Sequence, residues 1–174
     1  MCIPLRGFAM ADPRDRQRKP PQRSERKTQV KTEPSTDDPH QIVYFRRHLD
    51  EDAAETCPGR EFMQQCPSGV RAKLKATLTA VAGAPPKRFS GGGFWEAMSR
   101  DMTGWYEVRR SGPQRAHYRL FCRLDYEARG FDKPLLVVIT GLQKPNATLF
   151  SDADYQGVRD LGDEYFSRNP RSIA

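Results

Sequence analysis

"GWYEVRRSGPQRAHYRLFCRLD", residues 104–125, decides how this chain reads. Two runs rich in aromatic and branched residues flank "SGPQ" (111–114), whose Ser, Gly and Pro favour a tight turn. The stretch therefore predicts a β-hairpin. Side chains alternate across a strand. In the second strand Tyr118, Leu120, Cys122 and Leu124 share one face, and His117, Arg119, Phe121 and Arg123 share the other. The apolar set is the core face. In the first strand Tyr106 and Val108 join that core, which turns Glu107 and Arg109 outward. The hairpin thus presents one open surface carrying Glu107, Arg109, His117, Arg119 and Phe121.

The elements around the hairpin follow from periodicity and punctuation. "QIVYFRRH" (41–48) predicts a first strand. "PGREFMQQC" (58–66) predicts a short helix, with Pro58 suited to its first position. Val70, Leu74, Leu78 and Val81 recur at helical spacing in 68–83, with Ser68 as a cap and Gly83 as the stop. Residues 84–104 read as a long connector held down by Phe89, Phe94 and Trp95. Its glycine triplet lacks the Gly-Lys-Ser/Thr of a P-loop. "KPLLVVITGLQK" (133–144) has the unbroken apolar run of a central strand covered on both faces. Ser151 and Asp154 form a capping box before a helix with Tyr155, Val158, Leu161 and Tyr165 on one side. The order β-α-α-β-β-β-α implies an α+β domain, with helices on one face of a mostly antiparallel sheet of about four strands.

That domain starts near residue 40. Residues 1–39 are nearly devoid of large apolar side chains, and such a segment is expected to be disordered. Residues 1–38 hold nine basic and six acidic residues, so this leader supplies +3 of the +7 net charge. It is either a solvated leader, with Met10 an alternative start, or an arm that binds nucleic acid. The basic balance favours an anionic partner. Four cysteines without a Cys-x-x-Cys pair, and three histidines, exclude the common zinc frameworks. They read as reduced thiols of a cytoplasmic protein, with Cys57 and Cys66 buried rather than bonded. His40 and His48 read as surface residues. No apolar run reaches the roughly 20 residues of a membrane span, and "MCIPLRGFAM" is too short and interrupted for a secretory signal.

The open arginine surface has the parts for phosphodiester chemistry. Guanidinium forks match phosphate oxygens and stabilise charge that develops on them. Glu107 or His117 can move protons. Phe121 can stack on a base. Arg110, His117, Phe121 and Arg123, with Lys87 and Arg88 of the connector, complete an expected RNA-binding set. The same residues also fit a solvated sheet face laced with cross-strand ion pairs.

Tyr106-Glu107-Val108-Arg109, Tyr118-Arg119-Leu120-Phe121 and the apolar strand that runs into Lys144 resemble the RelE/ParE superfamily of toxins. More narrowly, they are similar to its HigB-like, phage-derived Gp49-like branch. The resemblance covers about residues 41–171. It implies a RelE-like fold and the toxin of a type II toxin–antitoxin pair, an mRNA interferase acting on the ribosome. Cleavage would proceed by attack of a 2′-hydroxyl on the adjacent phosphate, without metal or cofactor. Arg119 then matches the arginine at the scissile phosphate, Arg109 the Tyr-Glu-x-Arg arginine and Lys144 the loop lysine, with Glu107 beside them. Pro145 follows Lys144 where relatives often have a second basic residue. The general base stays open between Glu107, His117 and none. The implied partners are a helix-turn-helix antitoxin, mRNA and the ribosome, with operator DNA reached only through the antitoxin complex. The same superfamily also holds ParE-like inhibitors of DNA gyrase that cut nothing, and an inactive phage-derived remnant would carry the same sequence features.

Overall fold

A computed structural model describes residues 33–84 and 93–174. It is an α+β domain around one five-stranded mixed sheet in the order β1-β5-β4-β3-β2. The elements are β1 (Gln41–Tyr44), α1 (Pro58–Gln65), α2 (Ser68–Ala82), β2 (Trp95–Ala97), β3 (Trp105–Ser111), β4 (His117–Asp125), β5 (Leu135–Lys144) and α3 (Asp152–Phe166). The hairpin forms as expected, with Arg109 opposite Arg119 and Val108 opposite Leu120. β5 pairs antiparallel with β4 on one side and parallel with β1 on the other. Leu135 to Ile139 are all fully buried. That is the signature of a strand covered on both faces.

Four expectations need correction. The connector contributes a fifth strand: β2 pairs with β3, placing Trp95 opposite Val108. Its Trp95 is buried and stacks on Tyr106 at 4.8 Å between ring centroids. The helices do not share one face. α1 and α2 cover a core of Met63, Leu74, Leu78, Val108, Leu120 and Val138. α3 covers the other face, where Val158 and Tyr165 pack on Trp105, Phe121, Val137 and Ile139. α2 begins at Ser68 itself, behind Pro67, with no side-chain cap. His40 is buried rather than at the surface, and neither ring nitrogen has a hydrogen-bond partner.

Two glycines let helices approach the sheet. A Cβ at Gly141 of β5 would overlap the Phe62 ring of α1, and one at Gly162 of α3 would overlap the Trp105 indole of β3. α3 carries the expected capping box, with Ser151 Oγ accepting from Asp154 N and Asp154 Oδ2 accepting from Ser151 N at 2.7 Å. Beyond α3 the chain returns to β1. Tyr44 and Ala174 exchange two backbone hydrogen bonds, so the outer edge of β1 is occupied. At the foot of the sheet Asp125 accepts from Tyr165 Oη at 2.9 Å and from Arg171 Nε at 2.7 Å. Burial alone would raise the Asp125 carboxyl, but the hydrogen bonds from Arg171, the Glu127 amide and Tyr165 outweigh it and hold it below its usual range. Cys57, Cys66 and Cys122 are free thiols.

Candidate functional site

The alternation of β3 and β4 puts Glu107, Arg109 and Arg119 on the α3 side of the sheet, beyond the part of that face that the helix seals. Glu107 is buried between the two arginines. Its Oε1 accepts from Arg109 Nε at 2.7 Å and also from Nη2, and its Oε2 accepts from Arg119 Nη1 at 2.7 Å. The second edge of Arg109 meets Glu96 of β2 at 2.6 Å. Burial lowers the Arg109 guanidinium, but the two carboxylates more than compensate and hold it above its ordinary value. Arg119 has one carboxylate partner and lies 5.0 Å from the centroid of the Phe150 ring. One buried carboxylate thus holds two guanidiniums side by side, with both edges of Arg109 and one edge of Arg119 engaged.

These residues line a cleft of about 440 Å³. Its floor is Glu107, Arg109 and Arg119, and its walls come from the turn holding Ser99 to Met102 and from the first turns of α3. Tyr155 and Arg159 of α3 face into it, as do Glu96 and Arg100. Sequence reading did not select Arg159, Arg100 or Glu96. Arg159 stands one helical turn after Tyr155, so the 3.6-residue period already placed it near the same face. Arg100 and Glu96 belong to the connector, whose path no periodicity announces.

Not all of the expected residues converge here. Phe121 is completely buried under Phe150 and Tyr155, so its ring has no face to offer a base. Arg123 is packed against Trp105 and Phe166 at 5.1 and 4.8 Å, with a buried Nε that no group accepts. Burial pushes its pKa down. It belongs to the α3 interface rather than to an RNA surface. Arg110 faces the opposite side of the sheet, where it donates to Thr77 Oγ1 and, at 3.4 Å, to the Lys73 carbonyl of α2. Lys144 is bound to Asp154 at 2.7 Å, which fastens β5 to the start of α3. The hydrogen bond from Lys144, with those from Ser151, holds the Asp154 carboxyl down to about 2. His117 stands at the hairpin end, opposite Ser111 and Lys144, in a groove that also touches Arg109 and Arg119. Lys87 and Arg88 lie outside the described residues.

Both oxygens of Glu107 are engaged by arginine and its side chain is only 3% exposed at the cleft floor, an arrangement that suits positioning the two guanidiniums. Arg109, Arg119 and Arg159 bring three guanidiniums and Tyr155 a phenol to one cleft, a donor set that suits an anion. No helix among the described residues is long and apolar enough to cross a membrane. Comparison with protein-family models, with curated proteins and with solved structures finds no match for the chain.

Proposed function

We propose that this chain is a RelE-like, HigB-related toxin that cleaves mRNA as an endoribonuclease. The observation that carries this reading is the Arg109–Arg119 pair, fixed on buried Glu107 and open to a cleft that accommodates a nucleotide. The sequence likeness in Tyr106–Arg109 and Tyr118–Phe121 supports it independently. Arg119 and Arg109 hold the non-bridging oxygens of the scissile phosphate. The neighbouring 2′-hydroxyl attacks phosphorus, and the bond to the 5′-oxygen breaks. The attacking hydroxyl gives up a proton and the departing oxygen takes one, with His117 of the neighbouring groove and Tyr155 of the cleft as candidate proton carriers. Negative charge grows on the phosphate oxygens as this happens, and prearranged guanidiniums stabilise it more than they stabilise the bound substrate. Such a toxin acts in the bacterial cytoplasm on mRNA held by the ribosome, and a helix-turn-helix antitoxin restrains it by covering the arginine cleft.

One observation favours a second reading, a ParE-like inhibitor of gyrase or an inactive remnant. Lys144 is committed to Asp154, and Arg109 already has two carboxylates, so part of the expected catalytic set is internally neutralised. Mapping new mRNA 5′ ends minutes after induction separates these readings. The ribonuclease produces cuts in phase with codons that disappear with Arg119→Ala. Growth arrest with intact mRNA and inhibited supercoiling identifies the gyrase inhibitor, and normal growth with soluble protein identifies the remnant.

A further inference from the structure

Arg109 and Arg119 border a second depression on the far side of the hairpin end, a groove of about 200 Å³ that also touches Phe94, Arg110, His117 and Tyr118. Both arginines line the cleft as well, so the two depressions share Arg109 and Arg119. Phe94 lines this groove with 62% of its surface exposed. It is not loose: the Arg110 guanidinium lies 3.5 Å from its ring centroid. Arg110 is in turn anchored to Thr77, to the Lys73 carbonyl and to the Arg109 carbonyl at 3.1 Å. The Phe94 carbonyl accepts from Arg109 N at 3.0 Å, which ties the aromatic to the phosphate-gripping arginine through backbone.

We propose that Phe94, seated on Arg110, is a stacking platform for the base of a single-stranded RNA nucleotide beside the phosphate held by Arg109 and Arg119. The proposal rests on the ribonuclease reading and assigns that enzyme a flanking-base subsite. A rigid ring with one face on a cation and much of its surface in water is what an unpaired base needs, since every base has a π-face. The basic groove beneath supplies the attraction for its backbone. Arg110 therefore acts through Phe94 from below the sheet rather than by gripping phosphate.

The test uses the full chain and a fluorescent 2′-O-methyl oligoribonucleotide, a single strand that cannot be cleaved by its own 2′-oxygen. Anisotropy titrations compare wild type with Phe94→Ala, Phe94→Trp and Arg119→Ala. Phe94→Ala is expected to weaken binding by about 5- to 150-fold, the worth of one stacked base. Phe94→Trp is expected to restore it, with indole emission quenched on binding. Binding by Phe94→Ala equal to wild type, while Arg119→Ala binds more weakly, overturns the platform and leaves the ribonuclease reading standing. No binding by wild type also overturns the platform, and the mapped 5′ ends then decide whether the ribonuclease reading falls with it.

Discussion

Asp125 and Glu107 are both buried carboxylates on the α3 side of the hairpin, and both are held by arginine. Their partners differ. Arg171, on Asp125, keeps only 7% of its side chain exposed and gives its Nη1 to the Phe166 and Arg168 carbonyls. Arg109 and Arg119, on Glu107, keep 41% and 24%. A guanidinium sealed inside the protein is a clasp. Arg119 spends one edge on the buried carboxylate and keeps donors in reach of solvent, whereas Arg109 shares its second edge with the partly exposed Glu96. The same ion pair is therefore closed at the foot of the sheet and bordered by a cleft at Glu107, and solvent access to the arginine tells them apart.

The largest effect should come from the clasp. Arg171→Ala strands a buried Asp125, and the expected loss is about 3–5 kcal/mol in urea unfolding, with the slope unchanged. A loss below 1 kcal/mol would show that the two networks do not differ as described. Arg119→Ala should do the reverse. Cleavage falls by about 10²- to 10³-fold, the usual worth of one donor to a developing oxyanion. Stability changes little, because Arg109 still holds Glu107. Arg119→Lys should recover only part of the rate, since a point charge cannot grip two oxygens. An Arg119→Ala protein that unfolds as readily as Arg171→Ala would erase the distinction.

Smaller effects sharpen it. Glu96→Gln frees one edge of Arg109, and affinity for the non-cleavable oligonucleotide should rise by about 2- to 5-fold at low salt, as befits a half-exposed pair. The gain should vanish in high salt. Buried His40 gives a pH signature unconnected with either arginine network. Burial lowers its pKa, so the unfolded chain binds more protons than the native one. Its contribution is complete above the ordinary imidazole value of about 6.5 and is lost as pH falls below it. Unfolding midpoints measured from pH 8 to 5 should drop for wild type and stay flatter for His40→Gln.

Much of this was readable from the residues, and the misses have physical causes. Alternation in β4 correctly sorted Arg119 from Leu120, and helical spacing located α1, α2 and α3 within a residue or two. Alternation says which side chains share a face, but not what covers it, and Phe121 is covered by Phe150 and Tyr155. The missing information lay in α3, whose face of Tyr155, Val158 and Tyr165 had to bury against something. Trp105 and Phe121 were the apolar residues waiting among the arginines. Parity also separates Arg110 from Arg109, and grouping them as one surface overlooked that. β2 is only three residues long, too short for any period to emerge. Lys144 enters only as the match to the family's loop lysine, and its capture by Asp154 depends on how β5 and α3 come together.

The parallel pairing of β1 with β5 also sets when the domain can assemble. Gln41 finds its partner only at Leu135, with α1, α2 and the whole hairpin between them. Contacts so distant along the chain slow folding, because a long loop must close before they repay its entropy. During synthesis α1, α2 and the β3–β4 hairpin can form locally, but the strand that joins them to β1 emerges late. The arginine cleft, walled by α3, is completed only after β5 and α3 have both emerged.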